Sequence, residues 1–296
     1  MIVARAPRLS RIVKDVWLTL LLLFLWDVAV TLFYFHTPFK APALPLSLFG
    51  TVLALFLGVR HSAAYQRWWE GRVLWGGMIN SSRSLARAAL ALLEGPDEAR
   101  TELRRAIVLR HLAHVYALKA RLRGQDPAPD VRRFVPGEVA DTALARANPP
   151  NALLNRTGTA IARAQRSGLL DTIQQSQLEQ VLIDISNHQG GMERLKTTPL
   201  PNQYRFFPEL FTRVFCLLLP IGLVEALGWA TPVGSTVAGL MFLAVLKIAD
   251  DLVDPFADTV HDVPLSAMCR TIEIDLLQAI GDPAPEPITP VRGVLW

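Results

Sequence analysis

LPLSLFGTVLALFLGVRHSAAYQRWWEGRVLWGGMINSSR, residues Leu44–Arg83, is the stretch whose reading decides the fold. Leu44 to Val59 carries no charged residue, and it passes without an intervening turn signal into a polar, tryptophan-rich half. An apolar half continuous with a polar half predicts one helix leaving a bilayer for the cytosol. Pro45 suits the first turn, where its missing N–H costs nothing. Thr51, Leu55 and Val59 fall at i, i+4 and i+8 and form one stripe, while Leu53, Phe56 and Leu57 point elsewhere. Periodicity alone reads such a stripe as helix packing. Further along, Trp68 and Trp75 share a face, and Trp68, Trp69 and Arg72 lie within helical reach. That cluster reads either as an interfacial aromatic and arginine collar or as a working part of the protein. Gly95-Pro96 should end the helix.

Upstream, Met1 to Asp15 is basic, with Arg5, Arg8, Arg11 and Lys14, and it precedes the apolar run Val16 to Phe35. That run has the ~20 residues a bilayer span needs and is longer than a signal-peptide core. It reads as a first membrane helix with a cytoplasmic N-terminus. Asp27 inside it is costly in hydrocarbon. It should face protein or water, as a functional polar group or helix contact, or as a structural carboxylate hydrogen-bonded with Thr31 or a neighbouring helix. His36 to Leu44, with Pro38, Lys40 and Pro42, reads as a short outside loop.

Downstream, Asp97 to Leu122 is an amphipathic helix of a cytosolic bundle. Gly124 to Pro136 and Asn148-Pro149-Pro150 read as loops, and Asn151 to Arg166 and Asp171 to Lys196 as further helices. Leu210 to Leu227 and Val233 to Ile248 make a membrane hairpin broken by Gly228 to Pro232, with Arg213 and Lys247 snorkelling to one side. Asp250 and Asp251 are expected to cap or ion-pair. Leu265 to Ile280 is a last helix, and Gly281 to Trp296 an extended tail able to wrap a neighbouring subunit.

An apolar share of 51% fits either a soluble or a membrane chain, but its concentration in four blocks favours the membrane. The net charge of +4 is not gathered into a basic patch, which excludes a nucleic-acid footprint. Cys216 and Cys269 lie far apart, and His111, His114 and His188 read as scattered structural or solvated histidines. No metal is therefore expected. No glycine-rich phosphate loop and no nucleophile, base and orienter can be nominated, so no enzyme and no cofactor is expected.

Three segments resemble the bestrophin family, and its bacterial homologues in particular. The first is GVRHSAAYQRWWEGRVLWGGMINSSR, with Arg67, Trp68, Trp69, Glu70, Arg72, Asn80 and Arg83 at the family's spacing. The second is Glu193-Arg194 followed by Pro199, Pro201 and Tyr204 just before a membrane helix. The third is Asp254-Pro255-Phe256. The resemblance implies structural or gating roles for these residues. It also implies an all-α chain with four transmembrane helices, a large cytosolic helical bundle, and a homopentamer around a central pore. The implied layout is a cytosolic segment at 1–15, membrane helices within 16–60, a cytosolic domain at 61–204, membrane helices within 205–249 and a cytosolic end at 250–296. Both termini would be cytoplasmic, in the inner membrane. The partners are then the lipid bilayer, four further copies of the chain and small permeant ions.

Counting back from Arg67 places Thr51, Leu55 and Val59 on the family's three hydrophobic pore-neck residues. The family has bulky Ile or Phe where this chain has Thr and Val, so a wider neck that holds water more readily is expected. Counting back from Tyr204 places Ile173, with Leu170 as the alternative, on a second, cytosolic aperture. Ala257-Asp258-Thr259-Val260 replaces the acidic run that helps eukaryotic members bind calcium, so no calcium clasp is expected. The neck has no carboxylate, which inclines the reading to anions. A sodium-type cation channel of the same fold, or a membrane-anchored helical scaffold, is the alternative.

Overall fold

A computed structural model describes residues 1–2, 9–38 and 44–296, the side chains of 9–12 excepted. Arg5, Arg8 and the Arg11 side chain, and Lys40 and Pro42 of the expected outside loop, lie outside what is described. The described residues are helical throughout their regular elements, apart from isolated bridges between Ile2 and Val294 and between Val291 and Val294. Three helical stretches are long and apolar enough to cross a membrane: Val13–His36, Leu46–Leu92 and Asn202–Val253. The last is a pair of helices, so four helices serve as membrane spans.

The chain divides into two compact units. One holds α1 (Leu9–His36), the part of α2 (Leu46–Leu92) up to Trp68, α8 (Asn202–Leu227) and α9 (Thr231–Val253). Leu53 and Leu57 of α2 bury against Phe215 and Leu219 of α8 and Leu246 of α9, while Leu23 of α1 meets Cys216 and Leu243. The turn between α8 and α9 is tighter than expected, because Pro232 starts α9 rather than breaking the hairpin. A proline in the first turn forfeits no helical hydrogen bond. Asp27 is 1% exposed and accepts from Thr236 of α9 at 3.0 Å. Thr31 donates instead to the Asp27 backbone carbonyl, at 2.7 Å, so the carboxylate serves a helix contact rather than its own turn.

Arg60 anchors this unit. It is 2% exposed, donates to the Arg205 carbonyl at 2.7 Å and ion-pairs with Asp250. Asp251 takes Lys247 at 2.7 Å, so both aspartates are ion-paired within the unit. Arg60→Met keeps the apolar stem but strands the Arg205 carbonyl and the Asp250 carboxylate. Because the Asp250 side chain is 38% exposed, a loss of about 1–3 kcal/mol is expected rather than the full worth of a buried pair. Thermal unfolding in detergent checks this. Asp250→Asn should shift the midpoint clearly less, and equal shifts would make the carbonyl contact irrelevant.

The second unit includes Trp69–Thr198 and Pro255–Trp296. Its core is α3 (Asp97–Arg123), which buries twelve residues between Ile107 and Leu122. Gly124 ends α3 at φ 67°, a left-handed cap that glycine adopts without strain. The expected loop after it contains one short helix, α4 (Ala128–Val131), and a second, α5 (Gly137–Leu144), follows directly. The expected Asn-Pro-Pro loop is instead the start of α6 (Pro149–Arg166). Asn148 caps it by accepting from Asn151 N–H at 3.2 Å, and the two prolines occupy positions with no donor to lose. A capping box between Asp171 and Gln174 opens α7 (Thr172–Thr197). Finally, α10 (Leu265–Ala279) sets the buried Glu273 against Tyr116 at 2.5 Å and Arg133 at 2.7 Å. The proline-rich tail is engaged by its own chain, through Asp282 with Arg105, Leu295 with Met1 and Trp296 with Ala267.

Candidate functional site

Two exposed faces run along the first part of α2 at helical spacing. Leu48, Phe49, Val52 and Phe56 form a wholly apolar face, as contact with lipid or another apolar helix demands. Thr51, Leu55 and Val59 form another, with Leu55 68% and Val59 50% exposed. The exposed Ser47, Ser62 and Gln66 extend this second face at the same period. Thr51 donates to the Ser47 carbonyl at 2.8 Å, so its hydroxyl proton is used within the helix. A face that mixes hydroxyls, an amide and medium-sized apolar groups, with no acid before Glu70, is suited to water rather than to hydrocarbon. The remaining side of α2 is the core already described, which accounts for Leu53 and Leu57.

Farther along α2, the motif residues take distinct places. Arg67 donates to the Val253 carbonyl at 3.0 Å, and Trp68 stacks on Tyr65 with ring centroids 6.3 Å apart. Trp69 is exposed, whereas Trp75 is fully buried in the bundle and so is a core residue rather than part of a collar. Glu70 ion-pairs with Arg194 of α7, and Arg83 with Asp275 of α10 at 2.7 Å. Arg72 runs along its own helix toward Gly76, and Asn80 is exposed. Glu193 accepts from Asn148 at 2.9 Å and Gln189 at 3.0 Å. Pro199 is exposed, Pro201 caps α8, and Tyr204 stands inside the first turn of α8 rather than ahead of it. Asp254 caps the end of α9. Pro255 and Phe256 bury over Gly71, where a Cβ would come within 3.1 Å of both side chains. A side chain at 71 would make Pro255 and Phe256 give by a few tenths of an ångström.

Ile173 is 69% exposed in the first turn of α7, while its neighbour Leu170 is 4% exposed. The two residues are therefore not equivalent: Leu170 is core and Ile173 is free to line a space. Asp258 sits at φ 68°, paired with Arg123 at 3.0 Å and hydrogen-bonded by Gln125 at 3.0 Å. Asp262 receives the Thr259 N–H and hydroxyl at 2.8 and 2.7 Å.

Sequence reasoning missed the arrangement of two histidines it took as scattered. His111 and His114 of α3 are each 1% exposed and stack with centroids 5.5 Å apart. Ser82 gives its proton to the Met78 carbonyl, so it accepts from His111 Nε2–H at 2.8 Å. His114 must be protonated on Nδ1, which donates to the Pro150 carbonyl at 3.0 Å. Burial pushes both imidazoles down, His114 to about 4, where the Pro150 and Glu193 contacts oppose part of the shift; the His111–His114 repulsion adds to the lowering of His111. The i, i+3 spacing on a helix face shared with Leu118 and Val115 was the available signal.

The sequence matches the family described as Bacterial/Fungal Bestrophin protein over residues 4–278. A protein of Mesorhizobium japonicum named voltage-dependent anion channel-forming protein is 36% identical over 242 residues, 82% of this chain and 76% of that one. Its namesake in Escherichia coli K12 is 36% identical over 278 residues, covering 92% and 90%. The crystal structure of a bacterial bestrophin homologue from Klebsiella pneumoniae superposes with a TM-score of 0.84 at 34% identity, covering 90% of this chain and 99% of that one. By sequence and by fold, this chain belongs to the bacterial and fungal bestrophin family.

Proposed function

We propose that the chain forms a homopentameric, bestrophin-type channel in the inner membrane, conducting small monovalent anions through a central pore, with both termini cytoplasmic. The observation that carries this reading is the water-suited face of α2. One chain cannot enclose a pore with one such helix, so copies must be arranged in a ring with that face inward. The names of the relatives and the absence of any acid on the face support anions over cations. Thr51, Leu55 and Val59 then form the neck, and Ile173 a second aperture. The motif residues from Arg67 to Arg83, and those around Glu193 and Asp254, hold or gate the structure around them. Asp258 is already ion-paired with Arg123, which supports conduction without calcium.

The test is the mass of the detergent-solubilised protein together with ion flux in liposomes that contain only this protein. Five copies per particle are expected, with reversal potentials that follow the chloride gradient and do not change with micromolar calcium. A monomer or dimer would favour the scaffold reading, and reversal potentials that follow sodium would favour the cation channel.

A further inference from the structure

Between α5 and α6 the cytosolic-type unit holds a cavity of about 390 Å³, lined in part by Arg146, Arg156, Asn151, Asn155, Thr142 and Thr159. No carboxylate lines it. Several arginines elsewhere in this unit have acidic partners: Arg121 has Glu193, Arg123 has Asp258, Arg132 has Asp141 and Arg133 has Glu273. Among the described residues no carboxylate or carbonyl meets the guanidinium of Arg146 or Arg156. Arg110 of α3, which feels the charge of Arg156, is half-buried, and its Nε and Nη1 have no hydrogen-bond partner. Burial, and then repulsion from Arg156, pull its pKa down. Arg146 is exposed and Arg156 half-buried, so both guanidiniums are open to a ligand arriving from solvent.

The chemistry of the lining narrows the ligand. Thr142 and Thr159 donate to the Glu138 and Asn155 carbonyls at 2.7 and 3.0 Å, so their hydroxyl protons are committed. The donors left facing the cavity are two guanidinium forks and the amides of Asn151 and Asn155. Guanidinium forks match planar or tetrahedral oxyanions, and a cavity of this volume takes a small organic molecule rather than a bare halide. We propose that this cavity binds a small phosphorylated metabolite, its phosphate oxygens held by Arg146 and Arg156 with Asn151 and Asn155 beside them. This proposal does not rest on the channel reading.

Pyrophosphate is the probe, titrated calorimetrically into the full-length protein in phosphate-free detergent buffer. Saturable binding at one site per chain is expected, weakened roughly tenfold or more by Arg146→Gln or Arg156→Gln and less by Arg156→Lys, which keeps the charge but not the fork. Arg166→Gln, an exposed arginine at the end of the same helix, should bind like the parent. The ligand-free melting temperature of Arg156→Gln should equal or exceed the parent's, because repulsion on Arg110 is relieved. No saturable binding, or an equal loss in Arg166→Gln, would overturn the proposal. A lowered ligand-free melting temperature in both Arg156 variants would make that arginine structural and overturn it as well.

Discussion

Acidification from pH 7 to pH 4 is expected to remove about 3 kcal/mol from the stability of the bundle built on α3 through His114 alone, with a further loss through His111. In the folded chain the His114 imidazole is held near 4, against an ordinary value of 6.5. Between those two values the unfolded chain binds the proton and the folded chain does not, so stability falls as pH falls through that window. Above pH 7 neither form is protonated and the pair costs nothing of this kind. The penalty arises from burial, because the lone pairs at His111 Nδ1 and His114 Nε2 face no donor and the cation would have no solvent. Other groups of the chain also take up protons in acid, so the parent's slope alone does not isolate the histidines. The double variant His111→Gln, His114→Asn keeps an N–H for Ser82 and for the Pro150 carbonyl but carries no titrating group. Its melting temperature should fall less steeply from pH 6.5 to 4.5 than the parent's. Parallel slopes would show that the histidines do not govern acid stability.

The same pair shows what could be read from the chain before folding. The four membrane spans were legible, because a bilayer imposes length and apolarity on each segment regardless of its neighbours. The ends of α3, α7 and α10 were legible from Gly124, the Asp171 capping box and the Leu265 start. The Pro149-Pro150 segment misled, since the same two prolines serve a loop and a helix start equally well and only the Asn148 cap decides between them. Trp75 was placed with Trp68 by period, but whether an indole is core or collar depends on what packs against it. Nothing local to Arg60 revealed that Asp250 and the Arg205 carbonyl would come to it. The stripe of Thr51, Leu55 and Val59 is the converse case. Its lack of partners within one chain is what separates it from Leu53 and Leu57, and this was not visible in the spacing.

Ile173→Ala is expected to raise unitary conductance severalfold or to alter ion preference, while Val59→Ala changes less. The argument begins with packing. Leu178, Leu182 and Ile185 supply the buried face of α7, and Ile173 stands apart from them in the first turn at 69% exposure. An isoleucine left so open in one chain contributes little to that chain's core, so truncating it should move stability by no more than about 0.5 kcal/mol. Leu170→Ala, by contrast, opens a cavity at a residue 4% exposed and should cost about 2–5 kcal/mol. If copies of Ile173 form the second aperture, each contributes an apolar side chain to a ring that a hydrated ion must pass, and loss of the side chain lowers the dehydration barrier. If Thr51 and Val59 line the neck, both are already slim side chains, so shortening Val59 removes less of an obstacle. Single-channel recording, paired with melting curves of the same variants, separates the cases. An Ile173→Ala channel that melts and conducts like the parent, alongside a Val59→Ala channel of raised conductance, would return control of permeation to the neck. An Ile173→Ala protein that melts well below the parent would instead identify the residue as packing, hidden in the assembled ring.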